Sequence, residues 1–137
     1  MAQGRRLAIG LVAGGLLLGG TLVASLPAQA QQAEIKALDA DNDGTLDLDE
    51  VTKGAQAGFD RMNKDRDDTL DRDELGSRVA AQEFSDADPD KDKTLSKEEY
   101  VALATKLFKQ ADIDGDGTLD AKELNSEAGR ELSPLIH

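Results

Sequence analysis

Carboxylate side chains recur along this chain at a spacing that suits the binding of metal ions. A twelve-residue pattern occurs four times, at residues 39–50, 63–74, 88–99 and 112–123, with 12 or 13 residues between consecutive copies. In the first copy, acidic residues stand at positions 1, 3, 5, 9 and 12, and Gly44 stands at position 6. Oxygen ligands at these positions, closed by a glutamate at position 12, can surround one hard cation. The sequence therefore predicts four metal-binding loops, numbered 1 to 4 along the chain.

The arrangement resembles the ion-binding loop of EF-hand proteins, in which position 7 contributes its backbone carbonyl. Every copy also has leucine at position 8, as expected where two loops pair through a short β-bridge. Solvated acidic turns are the competing interpretation, but turn composition does not explain four copies with the same apolar and acidic positions. The predicted ligands are Asp39, Asp41, Asp43, Thr45, Asp47 and Glu50 in loop 1; Asn63, Asp65, Asp67, Thr69, Asp71 and Glu74 in loop 2; Asp88, Asp90, Asp92, Thr94, Ser96 and Glu99 in loop 3; and Asp112, Asp114, Asp116, Thr118, Asp120 and Glu123 in loop 4.

The connectors between the loops hold 12, 13 and 12 residues, fewer than an exiting helix, a linker and an entering helix require. At 100° per residue, Val51 and Met62 lie about 20° apart around a helix, and so do Tyr100 and Ala111. The first and third connectors are therefore predicted to be continuous amphipathic helices, each serving two loops.

The middle connector has a different pattern. Leu75 and Phe84 are nine positions apart, which places them on opposite faces of a straight helix, and Gly76-Ser77 offers a break and a cap. This segment is predicted to be bent or to form two short helices, which would keep loop 3 beside loop 2 and return loop 4 to loop 1. The expected fold is all-α, a compact helical bundle in which loop 1 pairs with loop 4 and loop 2 pairs with loop 3.

The N-terminal segment has the order of a secretory leader. Arg5 and Arg6 precede an apolar stretch at residues 7–26, and Ala28-Gln29-Ala30 is a small-residue cleavage site. The prediction is a signal peptide at residues 1–30 and one metal-binding domain at residues 31–137, located in the periplasm and without stable membrane association after cleavage. A retained membrane anchor is the alternative, because the apolar stretch is long enough to span a bilayer.

Composition argues against several classes of function. The formal net charge of −12 becomes −14 without the two leader arginines, and such a surface repels nucleic acid and anionic membranes. The chain has no cysteine, so no disulfide supports the fold. An enzyme is not expected, since the single histidine, His137, is the last residue and is predicted to be a solvated surface group. The small core predicts a loosely folded metal-free chain that ion binding orders.

The carboxylate count favours an ion of high charge. Loops 1 and 4 each supply five carboxylates at ligand positions, and loops 2 and 3 supply four. Five anions leave three negative charges beside a divalent ion and two beside a trivalent ion of similar size. Position 6, where the loop turns sharply, holds Asp68 in loop 2 and Lys93 in loop 3, at a cost of about 1 kcal/mol relative to glycine. Loops 1 and 4 are therefore expected to bind best.

With its four loops, its short connectors and DGTLD at residues 43–47 and 116–120, the chain resembles the lanmodulin family, periplasmic lanthanide-binding EF-hand proteins of methylotrophic bacteria. Pro89 occupies position 2 of its loop as in that family, and the tail at residues 128–136 is similar to the family's ending. The resemblance implies up to four lanthanide(III) ions bound in preference to calcium, with a metal-driven disorder-to-order change. It also implies a role in lanthanide handling, with a lanthanide-uptake or lanthanide-dependent methanol dehydrogenase system as the partner.

The chain departs from the family pattern at several loop positions. Ala40, Lys64 and Ile113 replace proline at position 2, and Ser96 replaces an acid at position 9. These differences mark a divergent member. Some members of the family form homodimers on metal binding, and the residues leave that choice open here.

A periplasmic calcium buffer or sensor is the alternative function. A sensor would present an exposed apolar groove to a target, and such grooves are often rich in methionine. This chain has only Met1 and Met62. A structural module that uses calcium only as a staple is a third hypothesis.

Overall fold

The computed structural model describes residues 28–137, so the predicted leader lies outside the described residues except for its last three. None of the described helices is long and apolar enough to cross a bilayer. The elements of the described range are α1 Ala28–Leu38, β1 Leu46–Asp47, α2 Leu48–Met62, β2 Thr69–Leu70, α3 Arg72–Leu75, α4 Ala81–Ala87, β3 Leu95–Ser96, α5 Lys97–Ala111, β4 Thr118–Leu119, α6 Ala121–Leu124 and α7 Glu127–Ile136.

The helices α2 and α5 are continuous over 15 residues each, which confirms the prediction from periodicity. Both begin with a capping box, in which the side chain at loop position 9, Asp47 or Ser96, accepts a hydrogen bond from the N–H of Glu50 or Glu99. Each glutamate side chain in turn accepts from the N–H of the cap residue. Both helices end one residue before the next loop. The end of one metal loop is therefore also the start of the helix that carries the next loop.

The chain is broken at Gly76, where φ is +57°, between two short helices: α3, which begins within loop 2 and ends at the first connector residue, and α4, which lies in the middle connector. Leu75 and Phe84, which a straight helix would place on opposite faces, are both buried, at 1% and 7% exposure. The break thus lets both side chains reach the core, and the predicted pair of short helices is confirmed.

The loops pair as predicted. Strand β1 pairs antiparallel with β4, and β2 pairs antiparallel with β3. Leu46 lies opposite Leu119 and Leu70 lies opposite Leu95, and all four are fully buried. Because α2 joins loop 1 to loop 2 and α5 joins loop 3 to loop 4, the two bridges close the four loops into a ring. The expected all-α bundle is confirmed.

The C-terminal helix α7 completes the core by packing on both α2 and α5. It buries Leu132, Leu135 and Ile136. The position of this tail in the fold could not be predicted from the sequence. His137 is exposed, as predicted, but its Nε2 lies 2.7 Å from the Oε1 of Glu34 on α1, within hydrogen-bond distance, so the ring is not free in solvent.

Candidate metal centres

The glutamate at position 12 ties together the two ends of each loop. In every loop its Oε2 accepts the N–H of position 9, at 3.0, 3.4, 2.9 and 3.1 Å in loops 1 to 4. In loops 1, 2 and 4 its Oε1 also accepts the N–H of position 2, from Ala40 at 2.6 Å, Lys64 at 2.9 Å and Ile113 at 3.0 Å. The carboxylate predicted to close the coordination sphere is therefore already held at the loop.

Loop 3 differs because Pro89 at position 2 has no N–H to donate. Glu99 accepts from the Ser96 N–H, and its second oxygen accepts no hydrogen bond among the described residues. Carboxylate oxygens of Glu99, Asp88 and Asp90 nevertheless lie within 4.8 Å of one another. Because of Pro89, one oxygen of the Glu99 carboxylate accepts no hydrogen bond from the described residues and lies close to the carboxylates of Asp88 and Asp90.

Backbone N–H groups aim the carboxylate at position 1 into the loop. Asp39 accepts from the N–H of Asp43 at 3.1 Å and from that of Gly44 at 2.9 Å. Asp88 and Asp112 accept from the same two loop positions. Within the folded loop, these hydrogen bonds restrict the rotation of the position-1 carboxylate and orient it toward the other predicted ligands.

Threonine at position 7 has a structural role that the sequence analysis missed. In every loop its hydroxyl donates to the carboxylate at position 5, over 2.7 to 2.9 Å: Thr45 to Asp43, Thr69 to Asp67, Thr94 to Asp92 and Thr118 to Asp116. The signal was present in the sequence, since all four copies carry threonine there. The hydroxyl orients one predicted ligand, and the carbonyl of the same residue is itself the predicted ligand of position 7.

Three groups of carboxylates lie close enough to share one cation. Within each group, one oxygen from each residue lies within 4.8 Å of the others. The groups are Asp39, Asp41 and Asp43 in loop 1, Asp88, Asp90 and Glu99 in loop 3, and Asp112, Asp114 and Glu123 in loop 4. No such group forms in loop 2 within the part of the chain that the structure describes. The structure therefore brings predicted ligands together in three loops, and the full assignment of 24 ligands stays a prediction.

Loop 2 instead carries an oxygen atom without a partner. The Oδ1 of Asn63, at position 1, is buried and accepts no hydrogen bond from the described residues. Leaving a buried polar atom unsatisfied costs about 1–3 kcal/mol. A hard cation in loop 2 would satisfy this oxygen, so the donor set of loop 2 fits an oxygen-seeking ion even with a neutral residue at position 1.

Neighbouring carboxylates shift each other's ionisation. The pKa of Asp90 is raised, chiefly by its hydrogen bond with Asp88 and further by repulsion from Asp92 and Glu99. Desolvation opposes the ionisation of Asp88, but the N–H of Lys93 and the side chain of Asp90 outweigh it and lower the pKa of Asp88. The pair thus holds a proton more readily than separate carboxylates would, and a bound cation would displace that proton.

The backbone turns sharply at two positions of every loop, 4 and 6, whereas the sequence analysis considered only position 6. Positive φ angles occur in loop 1 at Asn42 (61°) and Gly44 (88°), in loop 2 at Arg66 (62°) and Asp68 (68°), in loop 3 at Lys91 (61°) and Lys93 (72°), and in loop 4 at Gly115 (73°) and Gly117 (88°). A residue other than glycine at a positive φ costs about 1 kcal/mol relative to glycine. Loop 4 has glycine at both positions, whereas loops 2 and 3 have it at neither.

Comparison with known proteins bears on two of the four loops. A family model described as EF hand matches residues 32–53 and 103–126, which contain loops 1 and 4. No curated protein matches this chain. EF-hands typically bind calcium, and nothing in the match indicates catalysis. The EF-hand motifs at two sites and the acidic clusters together support a metal-binding protein of EF-hand type.

Proposed function

We propose that this protein binds trivalent lanthanide ions in its four loops and folds as it binds them. The observation that carries the proposal is the density of carboxylates in loops 1 and 4, where five acidic residues occupy ligand positions. In each of these loops, oxygens from three of the five already lie within 4.8 Å of one another. The coarser property, binding of a metal ion, is supported by the EF-hand match to the same two loops.

Charge is the physical reason to favour a trivalent ion. Attraction scales with the product of the charges, so each carboxylate gains half as much again from a trivalent ion as from a divalent ion of equal size. Repulsion among the carboxylates also falls as the ion neutralises more of them. With −14 on the proposed mature chain, four divalent ions leave −6 and four trivalent ions leave −2.

The ring of loops explains why binding and folding would occur together. Each bridge between loops is only two residues long, and the glutamates that close loops 1 and 3 also cap α2 and α5. An ion that fixes Glu50 or Glu99 therefore fixes the first turn of a long helix. Since most ligands are poorly placed in an unfolded chain, the binding free energy contributes directly to folding.

A periplasmic location and a role in lanthanide handling are part of the same proposal. The pattern of residues 1–30 supports export to the periplasm, and the lanmodulin resemblance supports a role in lanthanide handling beside an uptake system or a lanthanide-dependent methanol dehydrogenase. A chain of this charge would attract lanthanide ions and repel anionic surfaces.

Calcium binding in the same loops is the second candidate, and the EF-hand match favours it directly. A buffer fits the structure better than a sensor does. Ile113 is the one large hydrophobic side chain that is strongly exposed among the described residues. The cleft between α2 and α5, where a target helix could bind, is filled by α7.

A circular dichroism titration of the protein, purified as exported, tests the proposal. Helix gain would be measured against free lanthanum and free calcium, each set by a chelating buffer at neutral pH, and calorimetry would count the bound ions. We expect folding at free lanthanum several orders of magnitude below the calcium requirement. Equal responses near micromolar would instead establish a calcium protein.

Two variants of loop 1 provide the matched control. Glu50→Gln removes a charge and a predicted bidentate ligand, whereas Asp49→Asn removes the same charge from an exposed neighbour. The first should reduce the number of bound ions by one, and the second should leave that number unchanged. If both variants reduced the number of bound ions equally, loop 1 would contribute only general negative charge and not a specific binding site.

A further inference from the structure

The two pairs of loops carry the same number of acidic residues but very different numbers of basic ones. Loops 1 and 4, joined by the β1–β4 bridge, hold eleven acidic residues and one basic residue, a net charge of −10. Loops 2 and 3, joined by the β2–β3 bridge, hold eleven acidic residues and six basic ones, a net charge of −5. The loop 2–3 end, defined as residues 63–74 and 88–99, is therefore much less negative than the loop 1–4 end.

Most of these basic side chains are exposed to solvent. Lys97 pairs with Asp60 at 2.6 Å. The other five have no ion-pair partner among the described residues, and none stands at a predicted ligand position: Lys64, Arg66, Arg72, Lys91 and Lys93. Ion binding would therefore neutralise the carboxylates of these loops and leave the five positive charges exposed.

The charge of the ion decides the sign of this end. Two trivalent ions would bring loops 2 and 3 from −5 to +1, whereas two divalent ions would leave them at −1. Two trivalent ions in loops 1 and 4 would still leave that pair at −4. The helices that join the two ends, α2 and α5, have 15 residues each and are about 22 Å long. Because charges are screened over about 8 Å at physiological ionic strength, a partner at one end responds mainly to the charge of that end.

We propose that the loop 2–3 end, once loaded with trivalent ions, is a docking surface for a carboxylate-rich segment of a partner protein. This inference rests on the proposed lanthanide binding. The proposed mature chain without metal, at −14, repels such a partner, and calcium leaves the loop 2–3 end negative. Docking therefore follows loading with a trivalent ion, and the partner distinguishes the loaded protein from the empty one by charge.

The pattern of charges favours a protein over an anionic membrane as the partner. Exposed acidic residues that are not predicted ligands, Asp68, Asp73 and Glu98, lie among the basic ones. A surface of mixed sign needs a partner whose charges are placed to match it, and a protein can supply them. A membrane presents a uniform negative surface and is bound more strongly when apolar side chains insert into it. Ile113, the one large hydrophobic side chain that is strongly exposed among the described residues, lies in loop 4 at the other end.

A fluorescent peptide of repeated Glu-Ala-Ala units tests docking through its anisotropy. Chelating buffers hold free lanthanum or free calcium just above the level that saturates the full chain, so that the peptide itself stays metal-free. We expect the lanthanum-loaded protein to bind the peptide about tenfold more tightly than the calcium-loaded protein does, and added salt to weaken the binding. Equal binding by the two loaded forms would overturn the docking proposal.

Calorimetry on the same samples separates this inference from the proposed function. If fewer than four lanthanum ions bind, the proposed function fails, and the docking surface fails with it. If four ions bind and the peptide does not, only the docking surface fails.

Paired substitutions locate the surface. Arg66→Gln with Lys91→Gln removes two exposed charges from the loop 2–3 end, and Lys36→Gln with Lys122→Gln removes two exposed charges beside loops 1 and 4. We expect the first pair to weaken peptide binding about tenfold and the second pair to leave it nearly unchanged. Equal effects would mean that binding follows net charge, and no effect of either pair would mean that the peptide coordinates the ion directly. Both results would overturn the proposal.

Two further measurements test the other occupants of this surface. If anionic lipid vesicles bind the lanthanum-loaded protein as tightly as the peptide does, the surface binds a membrane. If the loaded protein alone associates in sedimentation, and the Arg66→Gln, Lys91→Gln variant does not, the surface binds the acidic end of a second copy. We expect neither result, and each would overturn the assignment to a partner protein.

Discussion

Leu46 and Leu119 lie directly opposite each other in the antiparallel bridge that joins loops 1 and 4, and neither side chain is exposed to solvent. The two residues are 73 positions apart in the chain. Each is the position-8 residue of its loop, flanked by predicted ligands at positions 7 and 9. A disturbance of either leucine must therefore reach both metal loops.

The first prediction concerns this coupling. Leu119→Ala should lower the free energy of unfolding of the metal-loaded protein by about 2–5 kcal/mol, since it opens a cavity at a fully buried site. It should also weaken binding in loop 1, whose ligands it does not touch. The N–H of Gly44, which donates to Asp39, is a local reporter of loop 1 in nuclear magnetic resonance titrations.

Leu70→Ala is the matched control, because Leu70 occupies the same position in the bridge between loops 2 and 3. It should leave the Gly44 titration nearly unchanged while lowering global stability by a similar amount. If both variants shift the Gly44 titration equally, loss of stability explains the result, and coupling through one bridge does not.

The second prediction concerns the backbone of loop 3. Lys93→Gly should strengthen binding in this loop by more than about fivefold, because relief of about 1 kcal/mol of conformational cost at φ 72° accounts for about fivefold and the loss of a positive charge beside the site adds to it. Lys93→Met removes the charge and keeps the conformational cost. Site-resolved titration should therefore rank glycine above methionine and methionine above lysine. Equal affinities for the glycine and methionine variants would assign the whole effect to charge.

The third prediction tests the preference for trivalent ions. Ser96→Asp supplies loop 3 with a fifth carboxylate and keeps the helix cap, since aspartate caps the exiting helix in the other three loops. The affinity of loop 3 should rise more for lanthanum than for calcium, as attraction scales with ionic charge. Ser96→Asn, a neutral cap, should leave the ratio of the two affinities unchanged. A rise in calcium affinity as large as the rise in lanthanum affinity would contradict the charge argument.

The fourth prediction concerns the pH dependence of the contact between Glu34 and His137 in the folded, metal-loaded protein. The pKa of Glu34 is lowered from 4.5, chiefly by its hydrogen bond with His137 and against the effect of desolvation. The unfolded chain then binds this proton more readily than the folded chain does. The contact therefore contributes stability above about pH 4.5, and the contribution is lost as pH falls through the lower, folded pKa.

Thermal unfolding of the metal-loaded wild type and Glu34→Gln between pH 3 and pH 6 measures this contribution. The difference between their midpoints should be largest near pH 6 and should shrink in acid. Glu98→Gln, which removes an exposed glutamate on α5, corrects for the general effect of net charge. A difference that does not change with pH would show that Glu34 acts through packing.

The loops and connectors could be predicted because their signals are local. The spacing of Asp39, Asp41 and Asp43 describes a loop without reference to distant residues. The angle between Val51 and Met62 is likewise a property of one helix. The pairing of loops then followed from the lengths of the connectors and from the break at Gly76, since a short chain leaves few arrangements.

Other features of the site depend on backbone geometry that residue types did not reveal. Position 4 carries four different residues, Asn42, Arg66, Lys91 and Gly115. The residue types at this position therefore did not indicate its positive φ. The unpartnered Asn63 oxygen could not be foreseen either, because burial of a single atom depends on how neighbouring side chains pack.

The amino-acid sequence by itself determined the ligand pattern, the charge that favours a highly charged cation, and the continuity of the helices, because these properties arise from residues close together in the chain. Only the tertiary structure decided where the C-terminal helix lies. The contact between Gly58 and Leu135 spans 77 residues. No periodicity connects a glycine on one helix with a carbonyl at the end of another, since their meeting depends on how all the intervening elements pack.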